Sequence, residues 1–454
     1  MFEDTIIAIS TPLGYGGLGI VRLSGKNSLS IAKKIFKARK KGRVLPRFTV
    51  LGLLYDFEQK EYFEEAYLTY FPKPNTYTRE DIVEISCHGS PVILEEVVRL
   101  GIKAGARHAD PGEFTLRAYL KGRIDLLQAE AVNDLIQATS LRHVKISFNQ
   151  VEGKLSEKIN SLRMKIIHLL AQIEASIEFP EEGLRTSQKQ TKKTINNLIR
   201  FLQKLIQSYD FGKSLAEGTT LVITGRANVG KSTLFNTLLE LDRAIITPYP
   251  GTTRDYLREK IKIKDSIFTL IDMAGIERSA HPVEKEGIKK GEALAKEADG
   301  VLLLLDSSKV ASSEDLKLIK KFKDKKTILL FNKIDLPLKM NKEKIKKAVK
   351  NILCIDISAL KGTNLEKLKK KIYRYFLPQL EKEQYVILHL RQKLLLEKII
   401  SYLEKGLNLL EEGYFEEVYA EEIRSVVPLI GQLTGEIRSE EIIDNIFSRF
   451  CVGK

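Results

Sequence analysis

The sequence is poor in several things, and each shortage excludes a class of protein. It has 3 cysteines in 454 residues, at positions 87, 354 and 451. They are far apart and odd in number, so neither a disulfide framework nor a zinc site is expected, and a reducing cytoplasm fits. No apolar run approaches the roughly 18 residues of a membrane-spanning helix. The densest run, Val301–Leu305, is only strand-sized. The start, MFEDT, is acidic and leads into no basic-then-apolar stretch, so no secretory signal is expected. Acids are outnumbered: 59 Asp and Glu stand against 74 Lys and Arg, a formal charge of +15. Such an excess favours a polyanionic partner, although lysine-rich helices are also solvated faces. The segment Lys33–Arg47 has eight cations and no acid. It reads as a solvated helix end and loop more readily than as a phosphate contact.

What is present is globular: 43% apolar and 29% charged residues, over a length that suits roughly two to four domains. Residues 1–118 read as an α+β domain. Strands are expected at Thr5–Ser10, Leu18–Leu23, Val50–Phe57, Glu64–Phe71 and Asp81–Cys87, with helices at Asn27–Phe36 and Pro91–Ala104. From 119 to 212 the chain turns helical. Leu155, Ile159, Leu162, Ile166, Leu169, Ile173 and Ile177 make a seam at spacings of three and four that Pro180 ends, and a second helix spans Thr194–Ile206. Residues 379–454 are helical again, from Gln392 to Leu410 and from Glu417 to the end. Between them, 213–378 alternates short strands with helices. A helical domain split by an inserted α/β domain is the expected organisation.

The inserted segment carries the chemistry. Leu221–Thr224 reads as a buried strand. Gly225-Arg226-Ala227-Asn228-Val229-Gly230-Lys231-Ser232 then fits G-x-x-x-x-G-K-[ST], and Thr233, Leu234, Phe235, Leu238 and Leu239 open a helix. Backbone N–H groups of Asn228–Thr233 can cradle phosphate, the helix N-terminus adds positive potential, Lys231 reaches the outer phosphates and Ser232 can ligate Mg²⁺. Gly251-Thr252-Thr253-Arg254-Asp255 can supply a switch threonine. Strands at Arg258–Ile263 and Ile267–Asp272 lead to Asp272-Met273-Ala274-Gly275, where Asp272 suits the outer shell of Mg²⁺ and Gly275 an N–H to the γ-phosphate. Strands at Val301–Asp306, Thr327–Phe331 and Leu353–Ile357 follow, the last two delivering Asn332-Lys333-Ile334-Asp335 and Ser358-Ala359. A carboxylate at Asp335 can accept from both N1–H and the amine of guanine, donors that adenine does not offer there. Lys333 covers the base plane. GTP hydrolysis is the expected reaction. Ile276 stands where Ras-like proteins have a water-orienting glutamine, so the water must be held otherwise. Glu277, Arg278, His281, Glu284 and Glu286 are the polar side chains nearby, and Arg254 reads as a structural salt bridge rather than a charge donor.

Three further stretches lie outside this set: DTIIAISTPLGYGGLGIVRLSG (Asp4–Gly25), YTREDIVEISCHG (Tyr77–Gly89) and PGEFTLRAYLKGRIDLLQAEAVND (Pro111–Asp134). The chain ends in FSRFCVGK, Phe447–Lys454. With the nucleotide motifs, these resemble the MnmE (TrmE) family of tRNA-modification GTPases along essentially the whole length. The resemblance implies a homodimer with an N-terminal tetrahydrofolate-binding and dimerisation domain. It also implies a partner, the MnmG-type flavoprotein with FAD and NADH, in a heterotetramer that adds an aminomethyl-type group to C5 of the tRNA wobble uridine. On its motifs, the folate site falls on Arg22, Glu84, Arg123 and Lys454. Arg123 departs from the family's usual lysine, which keeps charge and changes geometry. A K⁺ ion falls on Asn228, Thr247, Thr252 and the backbone of Tyr249, and Mg²⁺ on Ser232 and Thr253. The water-orienting role falls on Glu284. Met273 replaces a threonine at a packing position. Cys451 falls near the modification chemistry or is a packed thiol. A ribosome-assembly switch resembling Era or Der shares the loop pattern, but those proteins lack the N-terminal domain and the F-C-x-G-K tail, and Era adds a KH domain.

Overall fold

The computed structural model describes residues 4–40, 44–178, 187–216, 218–242, 258–272, 297–349, 352–377, 385–437 and 439–453. They belong to two compact units. One comprises Met1–Asn133, Phe148–Thr191 and Tyr402–Lys454; the other comprises Asp134–Ser147 and Lys192–Ser401. Pro180 lies outside the described residues.

In the first unit, alternation builds a seven-stranded sheet. Its strands are β1 (Ile6–Ile9), β2 (Gly16–Ser24), β3 (Phe36–Ala38), β4 (Thr49–Asp56), β5 (Glu61–Phe71), β6 (Ile82–Gly89) and β7 (Arg107–His108), in the order β3-β4-β5-β6-β2-β1-β7. Neighbours run antiparallel except β1 and β7. Ile7, Val21, Leu23, Val83 and Ile85 share one core with Ile31, Ile35, Leu94 and Val97 of the helices Ser28–Ile35 and Pro91–Lys103. Successive strand residues face opposite sides, so Arg22 and Glu84 stand on the face away from these helices. Two short strands differ from expectation. The first helix stops at Ile35 because Phe36 is extended (φ −132°, ψ 134°), and Phe36 starts β3, paired with Leu54. The two-residue β7 is too short to show a period.

The seam helix spans Lys154–Glu178 and buries Leu155, Ile159, Leu162, Ile166, Leu169 and Ile173, with Ile177 half-buried. The stretch expected as helix from Glu417 to the end is three helices, Glu416–Arg424, Val426–Thr434 and Glu440–Phe447. The breaks serve packing. Tyr119 donates its hydroxyl to the Gly435 carbonyl at 2.5 Å, and Phe447 and Phe450 join Tyr119, Leu126 and Ala129 in one apolar cluster.

The second unit holds a six-stranded sheet of β8 (Thr219–Gly225), β9 (Arg258–Ile263), β10 (Ser266–Asp272), β11 (Gly300–Asp306), β12 (Thr327–Asn332) and β13 (Leu353–Asp356). Its order is β13-β12-β11-β8-β10-β9, parallel except for the β9–β10 hairpin. Every residue of β11 and β12 is buried, as a sheet covered on both faces requires. Helices Lys231–Asp242 and Leu365–Phe376 pack on one face through Leu234, Leu238, Leu368 and Ile372. Helices Ser313–Lys321 and Lys342–Ala348 pack on the other through Ile319 and Ile345. Parallel strands place their C-terminal ends on one side, where ligand sites of open α/β sheets gather.

Candidate functional site

The loop after β8 closes where the sequence motif predicts a phosphate cradle. Asn228 and Gly230 both take positive φ, 62° and 98°, which turns successive N–H groups in the same direction. Gly230 also has no room for a side chain: a Cβ there would lie 2.4 Å from Asn332 Nδ2. Lys231 Nζ donates to the carbonyls of Gly225 (2.7 Å) and Arg226 (3.1 Å), so the ammonium is held across its own loop. Ser232 donates its hydroxyl to Asp272 Oδ2 at 2.9 Å. A hydroxyl and a carboxylate at this separation are the hard oxygen donors that Mg²⁺ takes. Val229 is buried, whereas Thr233 accepts through its backbone carbonyl from the Thr237 hydroxyl.

The base-side motif is braced onto the same loop. Asn332 Nδ2 donates to the Val229 carbonyl (2.8 Å), and its Oδ1 accepts from the Ala359 N–H (2.9 Å). One buried amide therefore joins the phosphate loop, the end of β12 and the loop after β13. Lys333, at φ +63°, donates to the Asn228 carbonyl (2.7 Å) and to Asp306 Oδ2 (2.8 Å). Burial pushes the Asp306 carboxyl up, but hydrogen bonds from Lys333 and Ser308 outweigh it and hold the group below its ordinary value. Asp335 is also held low, chiefly by a hydrogen bond from Ser358, so it stays an acceptor. Sequence reasoning missed Asp306. The available signal was its place at the end of β11, in register with Asn332.

Thr247, Tyr249, Thr252, Thr253, Arg254, Met273, Gly275, Ile276, Glu277, Arg278, His281, Glu284, Glu286 and Lys454 lie outside the described residues.

The first unit holds a second candidate site. Arg22 and Glu84 are cross-strand partners on β2 and β6, joined by Nε and Nη2 of Arg22 to Oε1 of Glu84, each at 2.8 Å. They line a cavity of about 750 Å³ with Tyr77, Arg79, Arg123 and Val132 among others. Arg123 stacks over the Tyr77 ring at 4.7 Å and donates to the Tyr77 carbonyl at 2.9 Å. Burial raises the Tyr77 phenol, which stays neutral and shares a hydrogen bond with Thr115 at 3.0 Å. The cavity thus offers cationic groups, one carboxylate and an aromatic wall. Tyr77 and Arg79 were not among the residues selected from sequence, although both lie within the stretch Tyr77–Gly89. The tail is brought to the same sheet: Ser10 donates its hydroxyl to the Gly453 carbonyl at 3.2 Å, next to β1, whose Ala8 pairs with Arg22. Cys451 is exposed, and its carbonyl accepts from the Gly112 N–H.

The helix Glu113–Leu120 of the same unit carries a buried ionic network. Arg117, fully buried, donates to Glu113 (2.8 Å), Asp4 (2.7 Å) and Glu80 (3.2 Å), and Lys121 adds a second cation to Glu80 at 2.7 Å. It fixes the helix Glu113–Leu120 to the residue leading into β1 and to the segment leading into β6.

A phosphate loop, a serine–aspartate pair and an asparagine–lysine–aspartate brace on the C-terminal ends of a mainly parallel sheet define a P-loop GTPase. The rest of the chain says which kind. Residues 126–451 match the MnmE helical domain, and residues 5–123 match the N-terminus of the GTP-binding protein TrmE. The tRNA modification GTPase MnmE of Aquifex aeolicus (strain VF5) is 40% identical over 456 aligned positions, covering 100% of both chains. That of Thermotoga sp. (strain RQ2) is 40% identical over 457, covering 99% of this chain and 100% of the relative. The chain belongs to the MnmE family of tRNA modification GTPases. Among solved structures, a point variant of Aquifex aeolicus Era bound to GDP·AlF4⁻ is similar at 30% identity over 40% of this chain and 67% of that one. Its TM-score of 0.29 is too low to add to the strand order. No helix among the described residues is long and apolar enough to cross a membrane.

Proposed function

We propose that this GTPase is the GTP-hydrolysing component of a complex that modifies C5 of the tRNA wobble uridine, using a tetrahydrofolate one-carbon unit. The observation that carries this reading is the cavity beside Arg22, Glu84 and Arg123, with Gly453 of the tail held against the adjoining strand. A folate offers carboxylates for arginines and a pterin edge for a carboxylate, and the cavity has both kinds of partner. Arg22, Glu84, Arg123 and Lys454 would hold it. Cys451, exposed at the tail, would lie near the modification chemistry. A folate-bound carbon supplies the one-carbon unit; an MnmG-type flavoprotein with FAD and NADH, in a heterotetramer, supplies the redox partner.

In the nucleotide site, Asn228–Thr233 and Lys231 bind the phosphates, with Thr247, Thr252, Thr253, Asp272 and Gly275 completing the pocket. Asn332, Lys333, Asp335, Ser358 and Ala359 bind guanine. Ser232 and Thr253 would hold Mg²⁺. Asn228, Thr247, Thr252 and the Tyr249 backbone would hold K⁺ as the homodimer's GTPase domains meet. Glu284 orients a water that attacks the γ-phosphorus; the bond to the β–γ bridging oxygen breaks, giving GDP and phosphate. The homodimer works in the cytoplasm on 1–118 as the folate and dimerisation domain, 119–212 with 379–454 as the helical scaffold, and 213–378 as the motor.

Mass analysis of tRNA nucleosides from cells with and without this protein tests the reading. Loss of the modified wobble uridine on deletion is expected; unchanged nucleosides in a strain without a paralogue would refute it. Glu284→Ala should slow hydrolysis and leave GTP binding intact.

A further inference from the structure

The positive charge of this chain is not spread evenly. Residues 213–378 hold 34 of its 74 lysines and arginines but only 21 of its 59 acids, a net +13 of the total +15, while 379–454 is net acidic. The inserted domain carries the excess, and one part of its surface collects it in rows. On the edge strand β9, Ile261 and Ile263 turn into the core while Lys260 and Lys262 are exposed between them. The turn that follows adds Lys264, exposed at φ +57°, a backbone position where glycine would be unstrained. The Lys264 ammonium lies over the Tyr373 ring at 4.5 Å, and Tyr373 donates to Asp265 at 2.7 Å, which ties the turn to the helix Leu365–Phe376. That helix buries Leu365, Leu368, Ile372 and Phe376 and presents Lys367, Lys370 and Arg374 to solvent along one stripe, with Lys371 half-exposed beside it.

Lys260, Lys262, Lys367, Lys370 and Arg374 make no ion pair with a described residue. Edge protection alone explains this poorly, because the opposite edge strand, β13 (LCID), has no cation in its span. We propose that the β9 edge and the outer stripe of helix Leu365–Phe376 form a contact surface for the phosphate backbone of RNA, with tRNA as the occupant. The partner follows from the charge pattern. Alternate strand residues about 6.7 Å apart, continued by a helical stripe, make a row of unpaired cations. The exposed acid on that helix, Glu366, is already paired with Lys369. The surface reads no bases; it positions the RNA on the motor domain. The inference rests on the tRNA reading above and assigns that contact to a face.

The test uses the full-length protein, purified bulk tRNA and binding isotherms over a range of KCl. Lys260→Gln/Lys262→Gln and Lys370→Gln/Arg374→Gln should each weaken binding on the order of tenfold near 0.1 M salt and flatten the slope of log affinity against log salt by about 1.5. GTP turnover without tRNA should stay at the wild-type rate, which shows that the variants are folded. Lys33→Gln/Lys37→Gln, in the other unit, should change neither. Wild-type affinity and slope in both pairs overturn the proposal, and so does an equal loss in the Lys33/Lys37 control. Variants that keep tRNA binding but no longer capture the purified flavoprotein overturn it in favour of a protein contact. A wild-type protein that neither binds tRNA nor changes its wobble uridine refutes the underlying reading as well.

Discussion

Asp335 and Arg117 are both charged, and their surroundings give them opposite duties. Asp335 is kept anionic by Ser358 at the open end of the sheet, ready to accept two guanine donors. Asp335→Asn replaces an acceptor by a donor. GTP affinity should fall about 10–100-fold, the loss of a charged hydrogen bond, while xanthosine triphosphate, with a carbonyl in place of the amine, should gain. Competition binding checks this. Arg117 is a buried cation among Glu113, Glu80 and Asp4. Arg117→Ala leaves carboxylates buried without their partner and should lower the stability of the first unit by about 3–5 kcal/mol near neutral pH. The pH dependence follows. Burial pushes the Glu113 carboxyl up, but Arg107, the Asp110 amide and Arg117 pull it below its ordinary 4.5, so its stabilisation is full above about 4.5 and is lost as pH falls through the lower folded value. Arg117→Ala removes one of these lowering contacts and leaves Arg107 and the Asp110 amide, so the folded value should move back up toward the ordinary one. The deficit of the variant should therefore shrink as pH drops from 7 toward 4, in urea titrations of both proteins. The nucleotide residues were legible from sequence because their motif is local. Arg117 was not, because two of its three partners, Asp4 and Glu80, come from distant parts of the chain.

Among elements, the C-terminal tail shows how a short segment acts through its backbone. Gly453 sits at φ +93°, and a Cβ there would lie 2.1 Å from the Ile9 carbonyl oxygen. Gly453→Ala adds both a collision and left-handed strain of order 1–3 kcal/mol. The tail should detach from β1, abolishing wobble-uridine modification while GTP binding stays normal; nucleoside mass analysis and nucleotide titration read the two effects separately. The seam helix was legible because its apolar residues recur at helical spacing, and the parallel strands because each is a short apolar run bounded by turn residues. The three-helix ending was not, since apolar residues continue through it and the breaks are set by docking onto Tyr119 and Leu126.

At the scale of the molecule, the two compact units divide the labour. The α/β segment holds the nucleotide chemistry and most of the net charge, while the first unit holds the cavity. If K⁺ takes the place of an arginine finger between two such motors, exchanging Na⁺ for K⁺ at constant ionic strength should raise GTP turnover by roughly the 10³–10⁵ that such a charge supplies at most, and at least tenfold. Equal turnover in the two salts would remove K⁺ from the mechanism.

The sequence by itself determined the class. A glycine loop between a strand and a helix, and an Asn-Lys-x-Asp after another strand, are chemistry written in consecutive residues, where backbone geometry follows from the residues themselves. Tertiary structure alone decided that Asn332 braces Val229 to Ala359, that Asp306 holds Lys333, and that Arg22 and Glu84 pair across two strands to line a cavity. Those contacts join residues tens to hundreds of positions apart. They depend on strand order and register, which side-chain periodicity along one strand does not encode.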